Sequence, residues 1–468
     1  MNQYSKKKSP KARKKGVKKL IVVHPNAAGI DLGSKEHYVA VPPGRDATGQ
    51  DVRKFATHTP GIREMAKWLV ECEVETVAME STGVYWIPVY DILEEAGLEV
   101  KLVHAAHLKY VPGRKSDVLD CEWIQQIHAF GLLRGCYRPP ENVLKLRTLT
   151  RHRKNLINDA SRYVLLMQKA MVQMNVLVHE AVSDITGKTG MQIIRAITNG
   201  VEDPKVLAEF RHARCQKSAK EIEKALSGNF RADYIFTLKQ ALQSYDHIQG
   251  QIIQCDRELE TVLADWEPKV DIHQKPLPSR RGRKKPYSNE PLFDLRKYLY
   301  EMAGVDLTQV EGIQACGALE ILSEHGADMS AWEDADKYTS WLGLCPGSRV
   351  TGGKSKSGQT RKVVNRVASA YRMAASTLWR SQGPLGQFYR RMSIKLDRPQ
   401  VITAVAHKLA RIVYSMLKNQ TEYNAEYHRK DPNREREKAL KRLQKMASKL
   451  HHALIDSETG EVIDFKAA

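Results

Sequence analysis

The first third of the chain alternates short apolar strands with amphipathic helices. AAGIDLGS (27–34) predicts a strand ending in a Gly-Ser turn, and HYVAV (37–41) predicts its hairpin partner. The strand VETVAMES (74–81), the strand EVKLVHA (99–105) and a helix that opens at Ser116 follow. This alternation predicts an α/β domain with a central mixed sheet over residues 27 to about 135.

Two further helices are predicted between these strands. Thr59 and Pro60 form a cap and first-turn pair ahead of the first helix. Its apolar positions have helical spacing, which predicts one buried face: Ile62, Met65, Ala66 and Leu69. A similar pattern predicts the second helix: Trp86, Val89, Tyr90 and Leu93.

From about residue 143 the pattern changes to long helices. One apolar series is interrupted only at Arg153: Leu149, Leu156, Ala160, Tyr163, Met167, Ala170 and Met174. A second series has the same spacing: Leu238, Leu242, Tyr245, Ile248, Ile252, Cys255 and Leu259. The two series predict an antiparallel, coiled-coil-like hairpin with an insert. It could serve as an intramolecular spacer or as a dimerisation arm, because an apolar seam can pack against a helix of the same chain or of a second chain.

Charge narrows the class of partner. The 468 residues contain 74 Lys and Arg against 54 Asp and Glu, a net charge of +20 with a pI near 9.5. Such a balance favours nucleic acid, with an anionic membrane second. The basic N-terminus lacks the apolar run of a secretory signal, and the seven cysteines lack CxxC spacing, so we expect reduced thiols in a cytoplasmic protein.

Four N-terminal carboxylates are candidates for a Mg²⁺ site. Asp31 lies in a strand between two glycines that we expect to leave its backbone uncrowded, and Glu80 closes another strand. Asp117 and Asp120 are three apart, so they project from one face of a helix. Taken singly, each is explained as well by a turn or cap, and Asp117 could favour the helix start through the dipole. Together they suit two-metal phosphodiester chemistry.

Three motifs carry a family resemblance. GIDLGSKEHYVAV, MESTGVYW and GRKSDVLDCEWI resemble the RuvC-like, RNase H-fold domain of the DEDD transposases of the IS-one-ten insertion-sequence family. The resemblance matches the four acids to the family's acidic positions and spans about residues 25 to 420. It implies Mg²⁺, donor and target DNA, a noncoding bridge RNA and a homo-oligomer, either a dimer or a tetramer.

The same resemblance predicts the domain organisation. The expected segments are a basic disordered tail (1–24), a RuvC-like catalytic domain (25–140), a helical or coiled-coil segment (141–266), a basic Pro-rich linker (267–295), a mainly helical C-terminal transposase domain (296–425) and a charged helical tail (426–468).

WLGLCPGSRVTGGKSKSGQTRKVVNR (341–366) is a Gly-rich polar segment that we interpret as a basic loop leading into a helix. It resembles the family's C-terminal domain, where a Ser ahead of a Gly is the implied nucleophile. Thr351 stands at that position, so Ser355 and then Ser348 are the competing hydroxyls. A threonine hydroxyl can attack phosphorus but is more hindered.

Basic side chains near both motifs are candidate nucleic-acid contacts: Arg114, Lys115, Lys354, Lys356, Arg361 and Lys362. Upstream, VEGIQACGALEILSEHG (310–326) resembles a helix-hairpin-helix pair that would contact the DNA backbone. An ordinary pair of helices would have the same pattern.

The leading hypothesis is a recombinase that cuts and rejoins DNA with a metal-bound DEDD site and a hydroxyl nucleophile. A Holliday-junction resolvase or nuclease, using water as its nucleophile, is the alternative. An actin-like ATPase or sugar kinase would need further Gly-rich loops, but residues 140 to 265 are Gly-poor. A protein that binds nucleic acid without catalysis is disfavoured because all four acids are present.

Overall fold

The computed structural model of the chain describes residues 21–81, 83–104, 117–279, 289–347, 349–351, 354–356, 358–361, 363–428 and 432–453, with 455 and 460. The chain divides into two compact units, one up to Arg138 and one from Pro139. Most of the expected N-terminal tail, residues 1–20, lies outside the described residues.

A five-stranded sheet forms the centre of the first unit. Its strands are β1 (Ala27–Leu32), β2 (Glu36–Ala40), β3 (Val52–Ala56), β4 (Thr76–Glu80) and β5 (Glu99–Val103), in the order β3-β2-β1-β4-β5. β1 pairs antiparallel with β2 and parallel with β4, and β4 pairs parallel with β5. The predicted mixed sheet is confirmed, and this arrangement is RNase H-like. β3 is an additional edge strand that the sequence pattern did not reveal.

Helices cover both faces of this sheet. α1 (Thr59–Glu71) and α2 (Trp86–Glu95) pack on one face, where the larger apolar core lies. α3 (Asp117–Ala129) packs on the other face. The cap of α1 is His58, whose ring accepts a hydrogen bond from the Gly61 N–H, so the expectation that Thr59 is the cap was wrong by one residue.

The second unit begins with α4 (Glu141–Gln173), a helix of 33 residues. A second helix of the same length, Ala232–Ala264, follows later in the chain. Four shorter helices lie between them: α5 (Val178–Ala181), α6 (Lys188–Thr198), α7 (Pro204–Glu209) and α8 (Ala219–Leu226), which makes Ala232–Ala264 helix α9. α4 and α9 pack side by side within the chain.

Side-chain contacts show that α4 and α9 run antiparallel. Early in α4, Arg153 pairs with Asp256 late in α9, whereas Ala170 late in α4 shares a core with Leu238 early in α9. Arg153 and Asp256 are both buried. The polar interruption in the first apolar series is therefore an ion pair inside the seam, where each charge depends on its partner.

The rest of the second unit is mainly helical. Its elements are α10 (Leu295–Ala303), α11 (Ala315–His325), α12 (Ala335–Trp341), β6 (Arg349–Thr351), β7 (Lys354–Lys356), α13 (Arg366–Thr377), α14 (Pro384–Ser393), α15 (Arg398–Asn419) and α16 (Pro432–Lys449). Short 3₁₀ turns occur at Leu307–Gln309, Leu378–Arg380 and Glu426–His428.

The first part of the expected linker contacts α10. The Lys269 N–H donates to the Glu301 carbonyl at 2.7 Å, and the Arg296 guanidinium donates to the Pro278 carbonyl at 2.7 Å. Residues 267–279 thus have a defined position against α10, while residues 280–288 lie outside the described residues.

Two expectations about the chain's environment can be compared with the structure. All seven cysteines are free thiols. Among the described residues, no helix is both long enough and apolar enough to cross a membrane.

Candidate active site

Asp31 and Glu80 lie at the same edge of the sheet. The parallel pairing of β1 with β4 sets Ala28 opposite Val77 and Ile30 opposite Met79, and each acid follows directly after that last pair. Neighbouring strands are about 4.8 Å apart, and residues at matching positions point to the same face. The two carboxylates, both half-buried, therefore lie side by side at the carboxyl ends of two parallel strands.

The face that carries these acids is the one covered by α3. Gly29, two residues before Asp31, packs so closely on α3 that an added Cβ would lie 2.3 Å from the Gln125 backbone nitrogen. Ala78, two residues before Glu80, belongs to the core shared with α3. The expectation that Gly29 leaves the backbone uncrowded was wrong: the missing side chain makes room for the helix.

The direction of α3 brings its first turn to this edge. The Gln125 side-chain amide donates to the Ala27 carbonyl at 3.1 Å, and the Ala129 carbonyl, at the end of α3, accepts from the Val23 N–H at 2.8 Å. α3 therefore runs antiparallel to β1. Its N-terminal turn, with half-buried Asp120 and the backbone of Asp117, lies at the end of β1 that carries Asp31.

Electrostatic coupling supports this proximity. Burial raises the pKa of the Cys121 thiol to about 12, and the charges of Glu122 and Asp31 add to the increase. Cys121 directly follows Asp120 in α3, so the Asp31 charge acts on the first turns of that helix. Such a neutral thiol is a poor nucleophile.

The donor set suits Mg²⁺, which is a hard cation that prefers carboxylate oxygens. The strand register sets Asp31 beside Glu80, and the direction of α3 brings the turn that carries Asp120 to the same end of the sheet. The side chain of the fourth predicted ligand, Asp117, lies outside what the structure describes. Among the described side chains, no group of three or more acids, histidines or cysteines is close enough to hold an ion. The backbone arrangement fits such an ion, and the described side chains do not by themselves form a closed site.

The segment expected to be a loop at 341–366 contains a β-hairpin. β6 pairs antiparallel with β7, with Thr351 opposite Lys354 and Val350 opposite Ser355. Thr351 is the last residue of β6, so its backbone lies next to the hairpin turn. Its side chain, like those of Ser355, Lys354 and Lys356, lies outside what the structure describes.

The hairpin is closed at its base by a few contacts within the second unit. Pro346 forms a bridge with Thr360, and the Gly347 N–H donates to the Gln359 carbonyl at 3.0 Å. The exposed Arg361 guanidinium donates to the Ser340 carbonyl in α12. Arg361, expected to contact phosphate, thus also fastens the base of the hairpin.

Asn365 caps the helix after the hairpin. Its side chain accepts from the Ala368 N–H at 3.0 Å, so α13 begins at Arg366 rather than at the apolar Val363. The remaining predicted residues Ser348, Lys362, Arg114 and Lys115 lie outside the described residues.

The segment that resembles a helix-hairpin-helix pair contains only one full helix. α11 (Ala315–His325) forms its second half, whereas a single 3₁₀ turn (Leu307–Gln309) precedes the connection. Gly312 in that connection has a φ of 87°, a left-handed conformation that favours glycine. The expectation of two regular helices there was wrong for the first one.

Sequence reasoning missed the residues that fix α3 on β1. The buried Gln125 and the contact at Gly29 set the height of the helix over the strand. A glycine inside an apolar strand is the one sequence feature that indicates such a close approach.

Comparisons with known proteins identify the family of the chain. Residues 28–176 match the model of the DEDD transposase of IS110, which is described as a transposase. Residues 305–390 match a model described as a transposase of the IS116/IS110/IS902 family. A search of curated proteins found no match.

Both matches describe the same class of enzyme. The carboxylates lie in the first matched range and the hairpin in the second. The protein is a DNA transposase, an enzyme that cuts and rejoins DNA. Since the two ranges together cover half of the chain, it belongs to the IS110 family, the IS-one-ten family of the sequence resemblance.

Proposed function

We propose that this transposase cuts and rejoins DNA with Mg²⁺ held by Asp31, Glu80, Asp117 and Asp120 and with a threonine hydroxyl as its nucleophile. The observation that carries the proposal is the register of β1 with β4, which sets Asp31 beside Glu80 under the first turn of α3. Bound there, Mg²⁺ would stabilise negative charge on the attacking and leaving oxygens.

Thr351 supplies the hydroxyl in this proposal. Its oxygen forms a bond to the scissile phosphorus as the bond to the leaving strand's oxygen breaks, and that strand ends in a hydroxyl. A strand hydroxyl then attacks the protein-linked phosphorus and releases Thr351. The number of phosphodiester bonds is conserved, so rejoining needs no external energy source. Lys354 and Lys356 lie in the strand paired with β6 and are proposed to stabilise the phosphate charge.

The partners follow from the family and the charge. We propose that a noncoding bridge RNA pairs with donor and target DNA, that the enzyme acts as a dimer or tetramer at the nucleoid, and that Arg114, Lys115, Arg361 and Lys362 contact the nucleic-acid backbone. The net charge of +20 supports polyanionic partners. The apolar seam between α4 and α9 is buried within one chain, which supports the spacer role of this helical hairpin.

The metal proposal is tested by removing single charges. Asp31→Asn and Asp120→Asn should each reduce DNA cleavage by about 1,000-fold or more, because losing a ligand oxygen removes charge stabilisation in the transition state. They should also weaken Mn²⁺ binding measured by electron paramagnetic resonance, a readout independent of cleavage. DNA affinity and thermal unfolding should stay near the wild type.

Glu64→Gln is the matched control, since Glu64 is an exposed carboxylate on α1, at the opposite face of the same sheet. It should leave both cleavage and Mn²⁺ binding unchanged. Full cleavage by both Asp variants would contradict the metal site. Cleavage by the wild type without any protein-linked DNA would favour the resolvase alternative, which uses water.

A further inference from the structure

The turn that follows β4 carries large apolar side chains in solvent. Val84 is 68% exposed, Tyr85 is 53% exposed and Ile87 is 41% exposed. Single exposed apolar residues are common, but here three lie within four positions. Val84 and Tyr85 belong to the MESTGVYW motif, of which the proposed chemistry uses only Glu80, and Ile87 follows it directly.

The Tyr85 ring has a defined seat. Gly83 has a φ of 57°, and a Cβ built on it would lie 3.6 Å from the ring, so one side of the ring lies over the Gly83 backbone. The Ile87 N–H donates to the Val84 carbonyl at 3.2 Å, which closes the turn just before α2. The exposed ring therefore lies beside the backbone of a closed turn.

This turn adjoins the carboxylate edge. Tyr85 is five residues from Glu80, which limits the separation of their Cα atoms to about 17 Å even for an extended chain, and the turn shortens it. The turn and the two acids lie at the same carboxyl end of the parallel strands, so a DNA strand with its scissile phosphate at Asp31 and Glu80 would bring its neighbouring bases to this end of the sheet. An apolar surface beside carboxylates suits the flat face of a base and is unsuited to phosphate.

We infer that Tyr85, flanked by Val84, stacks on an unpaired DNA base next to the scissile phosphate and so positions the strand for cleavage. This inference rests on the proposed function of the carboxylates. Stacking accepts any base, because every base has a π-face, and it contributes about 1–3 kcal/mol per base in other proteins that bind single strands. Tyr85 would therefore add affinity for opened DNA without reading its sequence.

The test uses a DNA duplex with a short unpaired bulge that carries 2-aminopurine, with Ca²⁺ in place of Mg²⁺ to prevent cleavage. Wild type and Tyr85→Phe should quench the fluorescence, because both have the ring. Tyr85→Ala should lose the quenching and bind the bulged duplex roughly 10-fold to 100-fold more weakly. Affinity for a fully paired duplex should not change.

Phe236→Ala is the control, since Phe236 is an aromatic side chain on α9 that is 64% exposed. It should behave as the wild type. Wild-type quenching by Tyr85→Ala would overturn the inference. If that variant also changed the oligomeric state, this face would be a protein contact instead. Because this readout needs no catalysis, it can succeed when the carboxylate test fails, and the two failures stay distinguishable.

Discussion

The two regions that carry the candidate chemistry are supported in different ways. The carboxylate edge is built on a five-stranded sheet with a helix packed directly on its central strand, at Gly29 and Gln125. The hydroxyl hairpin is a ribbon of two three-residue strands, closed by the Pro346–Thr360 bridge and the Arg361 contact. Ligand geometry at the first therefore depends on core packing, whereas the second depends on a few local contacts.

This difference teaches what each step of the reaction requires. Metal ligands must keep their separations within a few tenths of an ångström, which packed backbone provides. A nucleophile must approach and leave phosphorus, which a small hairpin permits. Substitutions that disturb the packing of α3 on β1, as at Gly29, should therefore change stability and activity together, whereas substitutions at the hairpin should separate them.

The largest combined effect on stability and cleavage is expected for Gly29→Ala. The new methyl group would lie 2.3 Å from the Gln125 backbone nitrogen and 2.4 Å from the Cys121 carbonyl oxygen, so α3 must move away from β1. We expect a loss of about 3 kcal/mol in the free energy of unfolding and at least a 100-fold loss of cleavage. Urea unfolding and a cleavage assay measure the two effects.

Gly250→Ala is the matched control, because a Cβ at that helical position in α9 would meet nothing within 4 Å. It should be neutral or stabilising by up to about 1 kcal/mol. If Gly29→Ala keeps full activity and stability, the carboxylate edge does not depend on close packing of α3, and the contrast between the two regions fails.

Acid should destabilise both units through buried histidines, of which His128 and His325 have the clearest shifts in pKa. Burial lowers the pKa of His128 to about 4 in the first unit and that of His325 to about 4 in the second. His325 Nε2 contacts the Tyr338 hydroxyl at 2.9 Å, and its Nδ1 contacts the Gly326 carbonyl at 2.7 Å. A carbonyl can only accept, so Nδ1 carries the proton of the neutral ring.

The sign of the pH effect follows from these values. Above pH 6.5 both the folded and unfolded states hold neutral His325, and it adds no pH dependence. Between pH 6.5 and about 4 only the unfolded state takes up the proton, so stability falls as pH falls, by about 3 kcal/mol in all. His325→Gln should flatten this dependence when unfolding is followed by near-ultraviolet circular dichroism of the nearby Trp332 and Trp341. An unchanged slope would contradict the assignment.

A smaller effect is expected for Arg361→Ala. Losing the contact with the Ser340 carbonyl should loosen the base of the hairpin and reduce cleavage by about 10-fold. Arg361 is exposed, so the free energy of unfolding should change by less than about 0.5 kcal/mol. Lys337→Ala is the control, since Lys337 is an exposed cation on α12, the helix that Arg361 contacts, and this variant should change neither quantity. A large loss in the free energy of unfolding, accompanying the loss of cleavage, would show that the hairpin is part of the core.

Sequence patterns predicted the regular core of the first unit better than its edges. Alternating apolar residues predicted β1 and β2, but β3 was missed because only Phe55 of its five residues is buried. The segment 349–356 was interpreted as a loop because its polar residues show no alternation, whereas the backbones of Arg349–Thr351 and Lys354–Lys356 pair as antiparallel strands.

The candidate site was predictable only as far as local sequence determines it. The order of the acids along the chain indicated which residues to consider, and Asp31 and Glu80 lie near the carboxyl ends of neighbouring parallel strands. Their register depends on long-range pairing, and the seat of α3 depends on the space left by Gly29. Neither can be derived from local spacing, because each is set by residues distant in sequence.

Mapping the protein–DNA adduct tests the central claim most directly. Wild-type enzyme with Mg²⁺, nicking substrate and bridge RNA is denatured and digested, and the peptide that carries a nucleotide is sequenced by mass spectrometry. The account predicts the nucleotide on Thr351, no adduct with Thr351→Ala, and a retained adduct with Thr351→Ser. An unchanged adduct in Thr351→Ala would contradict it and would assign the nucleophile to Ser355 or Ser348.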